Sequence, residues 1–309
     1  MKTIGAAQVA GALPLAALVD HLAIALRRPA AAPLRLGVSR QTGRELLVMP
    51  AMADRYAGVK ILTVTADNGA NGLPVIGGLF ILIDTRTGET LAILDAEELT
   101  ARRTAAISAL ASRALSRPDA RHLLLLGTGH LAPFLAEAHA VVRPIDTVEV
   151  WGRSAAKAEH TAAEVRRRLP DAKVTIADDL AAAAGRADII SAATRATEPL
   201  IRGDWVQPAT HVDLVGGYRP DMREIDDEGV RQSVIYVDTI EGALAEAGDL
   251  RTPLEQGVIA RHAIRGDIGA LVGGDLVLPA GTRTLFKSVG TALADLAAAE
   301  LVWEKIGEF

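Results

Sequence analysis

With 309 residues, half of them hydrophobic and 23% charged, the chain is long enough to bury one large core or two. A net charge of −5 with no basic tract speaks against nucleic acid or an anionic membrane as partner. The absence of cysteine excludes disulfides, thiolate metal sites and a cysteine nucleophile, and suits a cytoplasmic protein.

The N-terminal "MKTIGAAQVAGALPLAALVDHLAIALRRP" is apolar in places but interrupted by Asp20 and His21. No cleavage site follows an apolar core, so it reads as an amphipathic helix rather than a signal peptide. No run reaches the roughly 18 apolar residues of a membrane span. The histidines are scattered, so no metal site is expected. "LLVMPAM", "VKILTVT" and "GGLFILIDTRTGETLAILD" then read as strands, the last as a hairpin turning at "TRTGE". An Ala-rich helix over about 97–116 follows.

From Ala120 the pattern changes. "HLLLLG", "TVEVWG" and "KVTIA" are strands separated by the helical "HLAPFLAEAHAVVR" and "SAAKAEHTAAEVRRRL". The helical "DDLAAAAGRA" comes next, then "DIISAAT", "HVDLVGG" and "VIYVDT" as strands. Strands alternating with helices imply a parallel, doubly wound sheet. The closing "FKSVGTALADLAAAELVWEKIGEF" reads as a helix returning to the first domain. The expectation is an α/β protein: a Rossmann-type domain over 119–283, inserted in a discontinuous α+β domain of 1–118 plus 284–309.

"GTGHLA" supplies Gly127, Gly129 and Ala132 in a G-x-G-x-x-A pattern, with an apolar strand before it and a helix after. The first glycine permits the tight turn and the second lets the backbone approach a pyrophosphate. The third position needs only a small residue. The helix N-terminus would face the phosphates. Glu149 stands at about the right distance to hold a ribose 2′-hydroxyl, which argues for NAD. It lies inside its strand, however, and the strand ends in Gly152, Arg153 and Ser154. An arginine and a hydroxyl there suit a 2′-phosphate, so NADP(H) is expected over NAD(H).

Lys60 starts an apolar strand, Arg103 lies on a helix of small residues, and Arg35 lies in "PLRLGV". A buried cation is costly unless paired. The local runs around Lys60 and Arg103 hold no obvious carboxylate, so the partner is either a carboxylate from elsewhere in the fold or a ligand carboxylate or phosphate. Arg102 points about 100° away from Arg103 and reads as a surface residue.

These segments resemble the ornithine cyclodeaminase/mu-crystallin family. The resemblance runs through "LLVMPAM", "GVKILTVTADNGANGLP", "TGETLAILDAEELTARRTAAISALAS", "LLLLGTGHLA", "TEPLIRGDWVQPATHVDLVGGYRPDMREIDDE" and "FKSVGTALADLAA". It covers about residues 30 to 305. It implies a substrate and dimerisation domain built from both chain ends, and a homodimer. It also implies that the substrate carboxylate is held by Arg35, Lys60 and Arg103, with Lys60 and Arg103 catalytic. The cofactor is placed on Gly127, Gly129, His130, Leu131, Arg153, Ser154, Lys157, Thr194, Gly216 and Ser288. The cyclodeaminases of the family carry an aspartate where this chain has Tyr218, and a glutamate where it has Leu47. Losing both carboxylates removes the obvious bases for ornithine deamination. The resemblance therefore implies the ketimine reductase branch: NADPH-dependent reduction of Δ1-pyrroline-2-carboxylate and/or Δ1-piperideine-2-carboxylate to L-proline or L-pipecolate. An NAD-dependent ornithine cyclodeaminase and a non-catalytic NADP-dependent binding protein of mu-crystallin type are the alternatives. Tyr218, Lys60 and water stand open as proton donors. Asp213 and Asp221 read as capping or turn residues.

Overall fold

The computed structural model describes residues 1–41, 43–73, 75–274 and 276–307. The chain divides into two compact units, Met1–Thr104 with Thr291–Phe309, and Ala105–Gly290.

The first unit opens with β1 (Lys2–Ile4), α1 (Ala6–Ala12) and α2 (Leu15–Ala25). The single N-terminal helix expected from sequence is two helices, bent by 75° across Leu13 and Pro14. Proline lacks the N–H that would continue the first helix, and Pro14 instead caps the second. Among the described residues no single helix is long and apolar enough to cross a membrane. Then come β2 (Ala30–Ala31), β3 (Leu36–Gln41), β4 (Arg44–Ala53), β5 (Tyr56–Thr65), β6 (Ile76–Asp84) and β7 (Thr90–Asp95). Among the described residues they form a seven-stranded sheet ordered β1-β7-β6-β5-β4-β2, with β3 also on β4. The β6–β7 hairpin turns at Thr85–Glu89.

Alternation sets the faces of this sheet. Along β5, Tyr56, Gly58, Lys60, Leu62 and Val64 are buried. Their cross-strand partners Leu47, Met49, Phe80 and Leu82 complete the same face. Helix α3 (Ala96–Leu115) follows β7 directly, and Asp95 accepts the Glu98 N–H at 2.9 Å at its start.

The second unit contains β8 (His122–Leu126), α4 (Ala132–Val142), β9 (Thr147–Trp151), α5 (Ala155–Arg168), β10 (Lys173–Ile176), α6 (Leu180–Arg186) and β11 (Ile189–Ala192). It continues with β12 (His211–Leu214), α7 (Asp227–Arg231), β13 (Val234–Val237), α8 (Ile240–Glu246), α9 (Gly248–Glu255), β14 (Ile264–Asp267), α10 (Ile268–Gly273) and β15 (Thr284–Lys287). Among the described residues the sheet has eight strands, ordered β10-β9-β8-β11-β12-β15-β13-β14, with every neighbouring pair parallel. The order reverses at β8, with β9 on one side and β11 on the other. In doubly wound sheets this reversal opens the ligand crevice beyond the strand ends.

Helix α11 (Ala292–Ile306) belongs to the first unit, where it packs on β4, β5, β6, α1 and α2. Two expectations from sequence change here. The closing segment is not one helix, because residues 284–287 form a strand bonded between β12 and β13. The boundaries at 118/119 and 283/284 move to 104/105 and 290/291. That strand belongs to the parallel sheet, and Ser108 in the second half of α3 donates to Asp213 of β12 at 3.0 Å. Glu308 and Phe309, the end of the expected helix, lie outside the described residues.

Candidate active site

Lys60 lies on the inward parity of β5 and is fully buried, and Arg103 on α3 is 4% exposed. Both close on one carboxylate, Asp295, in the first turn of α11. Lys60 Nζ stands 2.7 Å from Asp295 Oδ2, and Arg103 Nε donates to Oδ1 at 2.7 Å. Lys60 also donates to the Thr100 hydroxyl at 3.4 Å. Of the two partners left open, a ligand or a carboxylate from elsewhere in the fold, the chain supplies the second, from 192 residues beyond Arg103. Burial works against the charge of Asp295, but Arg103 and Lys60 outweigh it and hold its carboxyl below the usual range.

The cluster therefore carries two cations and one anion. Burial, together with the charges of Arg103 and Arg35, lowers the Lys60 ammonium to about 7, against the pull of Asp295. Loss of one proton from Lys60 leaves Arg103 and Asp295 as a neutral pair. Arg35, half-buried just before β3, completes the group. Arg102 is half-buried and turned to Glu98 at 2.6 Å and to the Leu13 carbonyl. Leu47 shares the sheet face of Met49 and Lys60 and packs with Leu62, Val64 and Ala96. At this position beside the lysine, hydrocarbon takes the place of a carboxylate.

In the second unit the turn from β8 to α4 fits a dinucleotide. Gly127 has φ 113°, and a Cβ there would sit 2.5 Å from the Ala193 carbonyl, so only glycine serves. A Cβ on Gly129 would meet nothing within 4 Å, so the space over that backbone is open. Gly129 and His130 are exposed, Leu131 half-buried, and Ala132 buried at the start of α4. Open space over the backbone at the start of a helix is what lets a pyrophosphate approach.

At the end of β9, Arg153, Ser154 and Lys157 are exposed. Ser154 caps α5 by accepting the Lys157 N–H, which leaves its hydroxyl proton available. Glu149 is spent elsewhere: Arg186 grips it through two nitrogens, and His122 Nε2 lies 2.8 Å away. Burial opposes its ionisation, yet Arg186 and His122 hold it below the usual range. Thr194 and Gly216 follow β11 and β12 and are half-buried. Ser288, expected to face the cofactor, is 2% exposed and donates to Asp238 at 2.8 Å, so its side chain is committed to the fold.

Asp213 is not a cap. It is fully buried, accepting from Ser108 and Ser191 beside His139 Nε2. Asp221 pairs with Arg219 in an exposed turn, as a turn residue should. Half-buried Tyr218 packs against the core of this unit. Sequence reasoning missed Asp295, and also Glu224, Asp249 and Lys287, which are buried in the second unit. An acid set in the apolar run "ALADLAAA" was the signal for the first.

The model of the ornithine cyclodeaminase/mu-crystallin family matches residues 4–308. This chain belongs to that family. It is 35% identical to the Δ1-pyrroline-2-carboxylate reductase of Colwellia psychrerythraea over 316 residues, 100% of both chains. It is 35% identical to the ketimine reductase mu-crystallin of Rattus norvegicus, covering 83% of this chain and 79% of the rat protein. Among solved structures, Thermococcus litoralis Δ1-pyrroline-2-carboxylate reductase in complex with NADH and L-proline superposes with a TM-score of 0.94. The two are 30% identical over 99% of this chain and 97% of that one. Lys60, Arg103 and Asp295 of this family member thus lie in a fold shared along nearly its whole length with a reductase of a cyclic imine.

Proposed function

We propose that this chain is an NADPH-dependent ketimine reductase that converts Δ1-pyrroline-2-carboxylate, and its six-membered homologue, to the corresponding L-amino acid. The observation that carries the reading is the buried Lys60–Asp295–Arg103 cluster, with a lysine lowered to about 7. Arg103 and Arg35 hold the substrate carboxylate. A cyclic imine accepts hydride well only when its nitrogen is protonated. Lys60 is the donor: an ammonium lowered to about 7 gives up its proton near neutrality and leaves a neutral pair behind. The dinucleotide, when bound, supplies the hydride that adds to the imine carbon. One proton and one hydride turn C=N into CH–NH, and NADPH becomes NADP+. Fixed charges and substrate orientation provide the remaining acceleration.

NADPH is preferred because Glu149 is occupied while Arg153 and Ser154 are exposed at the strand end. Turnover of Δ1-pyrroline-2-carboxylate followed at 340 nm tests the whole reading. NADPH is expected to exceed NADH by at least ~10-fold in kcat/KM, about 1.4 kcal/mol. Arg153→Ala is expected to erase that difference while leaving NADH nearly unchanged. Equal losses with both cofactors would remove Arg153 from 2′-phosphate recognition. Absence of imine reduction with either would refute the function.

An ornithine cyclodeaminase is the second reading, and Leu47 and Tyr218 stand against it. With L-ornithine and NAD the protein is expected to release no ammonia above background, and robust proline formation would reverse the assignment. We also place the enzyme in the cytoplasm as a homodimer. Leu36 and Val38 on β3 and Leu46 and Met52 on β4 are exposed on the sheet face opposite Lys60, apolar area that a second copy would cover. A sedimentation mass of two chains is the check.

A further inference from the structure

We propose that Glu224 is a positioning residue for the cofactor, tying together the two loops that carry Thr194 and Gly216. The proposal rests on the dinucleotide reading above and extends it to a buried cluster that the chemistry does not use. Glu224 is fully buried. Its Oε1 accepts from the Thr194 N–H at 2.7 Å and the Thr194 hydroxyl at 2.8 Å. Its Oε2 accepts from the N–H groups of Gly216 at 2.9 Å and Gly217 at 3.3 Å. One carboxylate thus serves the ends of both β11 and β12, on the side of the sheet reversal where a doubly wound fold takes its ligand.

The loops touch with no room to spare. A Cβ on Gly216 would fall 2.1 Å from the Thr194 carbonyl oxygen, and one on Gly217 would fall 3.0 Å from Asp249 Oδ2. Asp249 accepts the N–H groups of Glu224 at 2.6 Å and Ile225 at 3.2 Å, and so fixes the segment that carries the carboxylate. Lys287, at the end of β15, lies 2.9 Å from Asp249 Oδ2 and 3.8 Å from Glu224 Oε2. The sequence "VGGYRPDMRE" therefore puts two glycines and their anchoring acid in one local motif.

The tie holds in full only while Glu224 is ionised. A protonated oxygen becomes a donor, and the amides it faced lose their acceptor. The charged groups facing Glu224 are Lys287 from β15 and Asp249 from α9. Burial pushes the carboxyl up to about 7, with Lys287 pulling down and Asp249 pushing up. The two loops should therefore loosen as pH falls through neutrality.

Glu224→Gln keeps shape and volume, leaves Lys287 paired with Asp249, and presents an NH2 group where two backbone donors need an acceptor. Dinucleotide binding by fluorescence titration is the readout, with NADH run beside NADPH because NADH has no 2′-phosphate to titrate. At pH 8 the variant's Kd is expected to rise at least ~10-fold. The wild-type Kd should rise from pH 8 to pH 6, while the variant's stays flat. Variant and wild-type values within ~3-fold of each other, with parallel pH curves, would overturn the proposal. Should the variant fail to fold, hydrogen exchange on the cofactor-free wild type decides. Corrected for intrinsic rate, amides at Thr194, Gly216 and Gly217 should lose protection from pH 8 to pH 6 while Val212 does not; unchanged protection refutes the tie. Wild type that binds no dinucleotide would sink the functional reading instead, and the exchange measurement would still judge Glu224.

Discussion

Lys60→Met lowers kcat for Δ1-pyrroline-2-carboxylate by about 100- to 10,000-fold, the usual range for removing a general acid. The variant should fold, since methionine fills the space of the lysine stem and Asp295 keeps Arg103 as its partner. KM should move far less than kcat, because the proposed carboxylate holders Arg35 and Arg103 are untouched. The pH profile separates this role from a purely structural one. With Lys60 as the proposed proton donor, wild-type kcat should fall as pH rises through about 7. In the variant that alkaline limb should vanish, leaving a flat, slow rate. A variant with more than a tenth of wild-type kcat, or one that keeps the limb, would take the proton donor away from Lys60.

Asp295→Asn should be the most damaging single change to stability. It leaves the buried Arg103 without its counterion and Lys60 without the group that keeps it charged, and breaking a buried pair from one side typically costs about 3–5 kcal/mol. The loss should also depend on pH. Lys60 is lowered to about 7 in the folded protein from 10.5. Between those values the unfolded chain binds more protons, so stability rises with pH across that window. Asp295 is the group that raises Lys60, so without it the window extends further toward acid. The variant should trail wild type more at pH 6 than at pH 10, where Lys60 is neutral in both. Urea unfolding at the two pH values measures this, and equal midpoints at pH 6 would mean that the cluster does not hold the first unit together.

What could be read from sequence follows the range of the interactions. The β8–α4 turn was legible because a strand, two glycines and a helix lie within a few residues of each other. The "TRTGE" hairpin and the inward parity of Lys60 on β5 are local in the same way. Asp295 was not legible as a partner, because nothing near residue 60 or 103 points to residue 295; only the packing of α11 on β5 joins them. Strand β15 was missed because "TLFK" is short and runs into a helical pattern, and its strand character comes from its neighbours β12 and β13. Glu149 was legible only in part, since its distance from the glycines argued for NAD and its place inside the strand argued against. Its partners Arg186 and His122, 37 and 27 residues away in sequence, are visible only in the structure.

The closing helix brings an anion to cations made much earlier. Synthesis at about 5–20 residues per second puts roughly 10–40 s between Arg103 and Asp295 on the ribosome. During that interval the inner face of the first sheet can form strands but cannot close. Lys60 and Arg103 keep their hydration, because dehydrating them without Asp295 is prohibitively costly. The second unit is one continuous stretch, Ala105–Gly290, and is complete before α11 exists. Chain order thus makes the buried counterion of Lys60 and Arg103 arrive after the whole of the second unit. A nascent chain that stops before residue 291 carries a wetted, half-covered sheet, the kind of surface that chaperones and proteases recognise as unfinished.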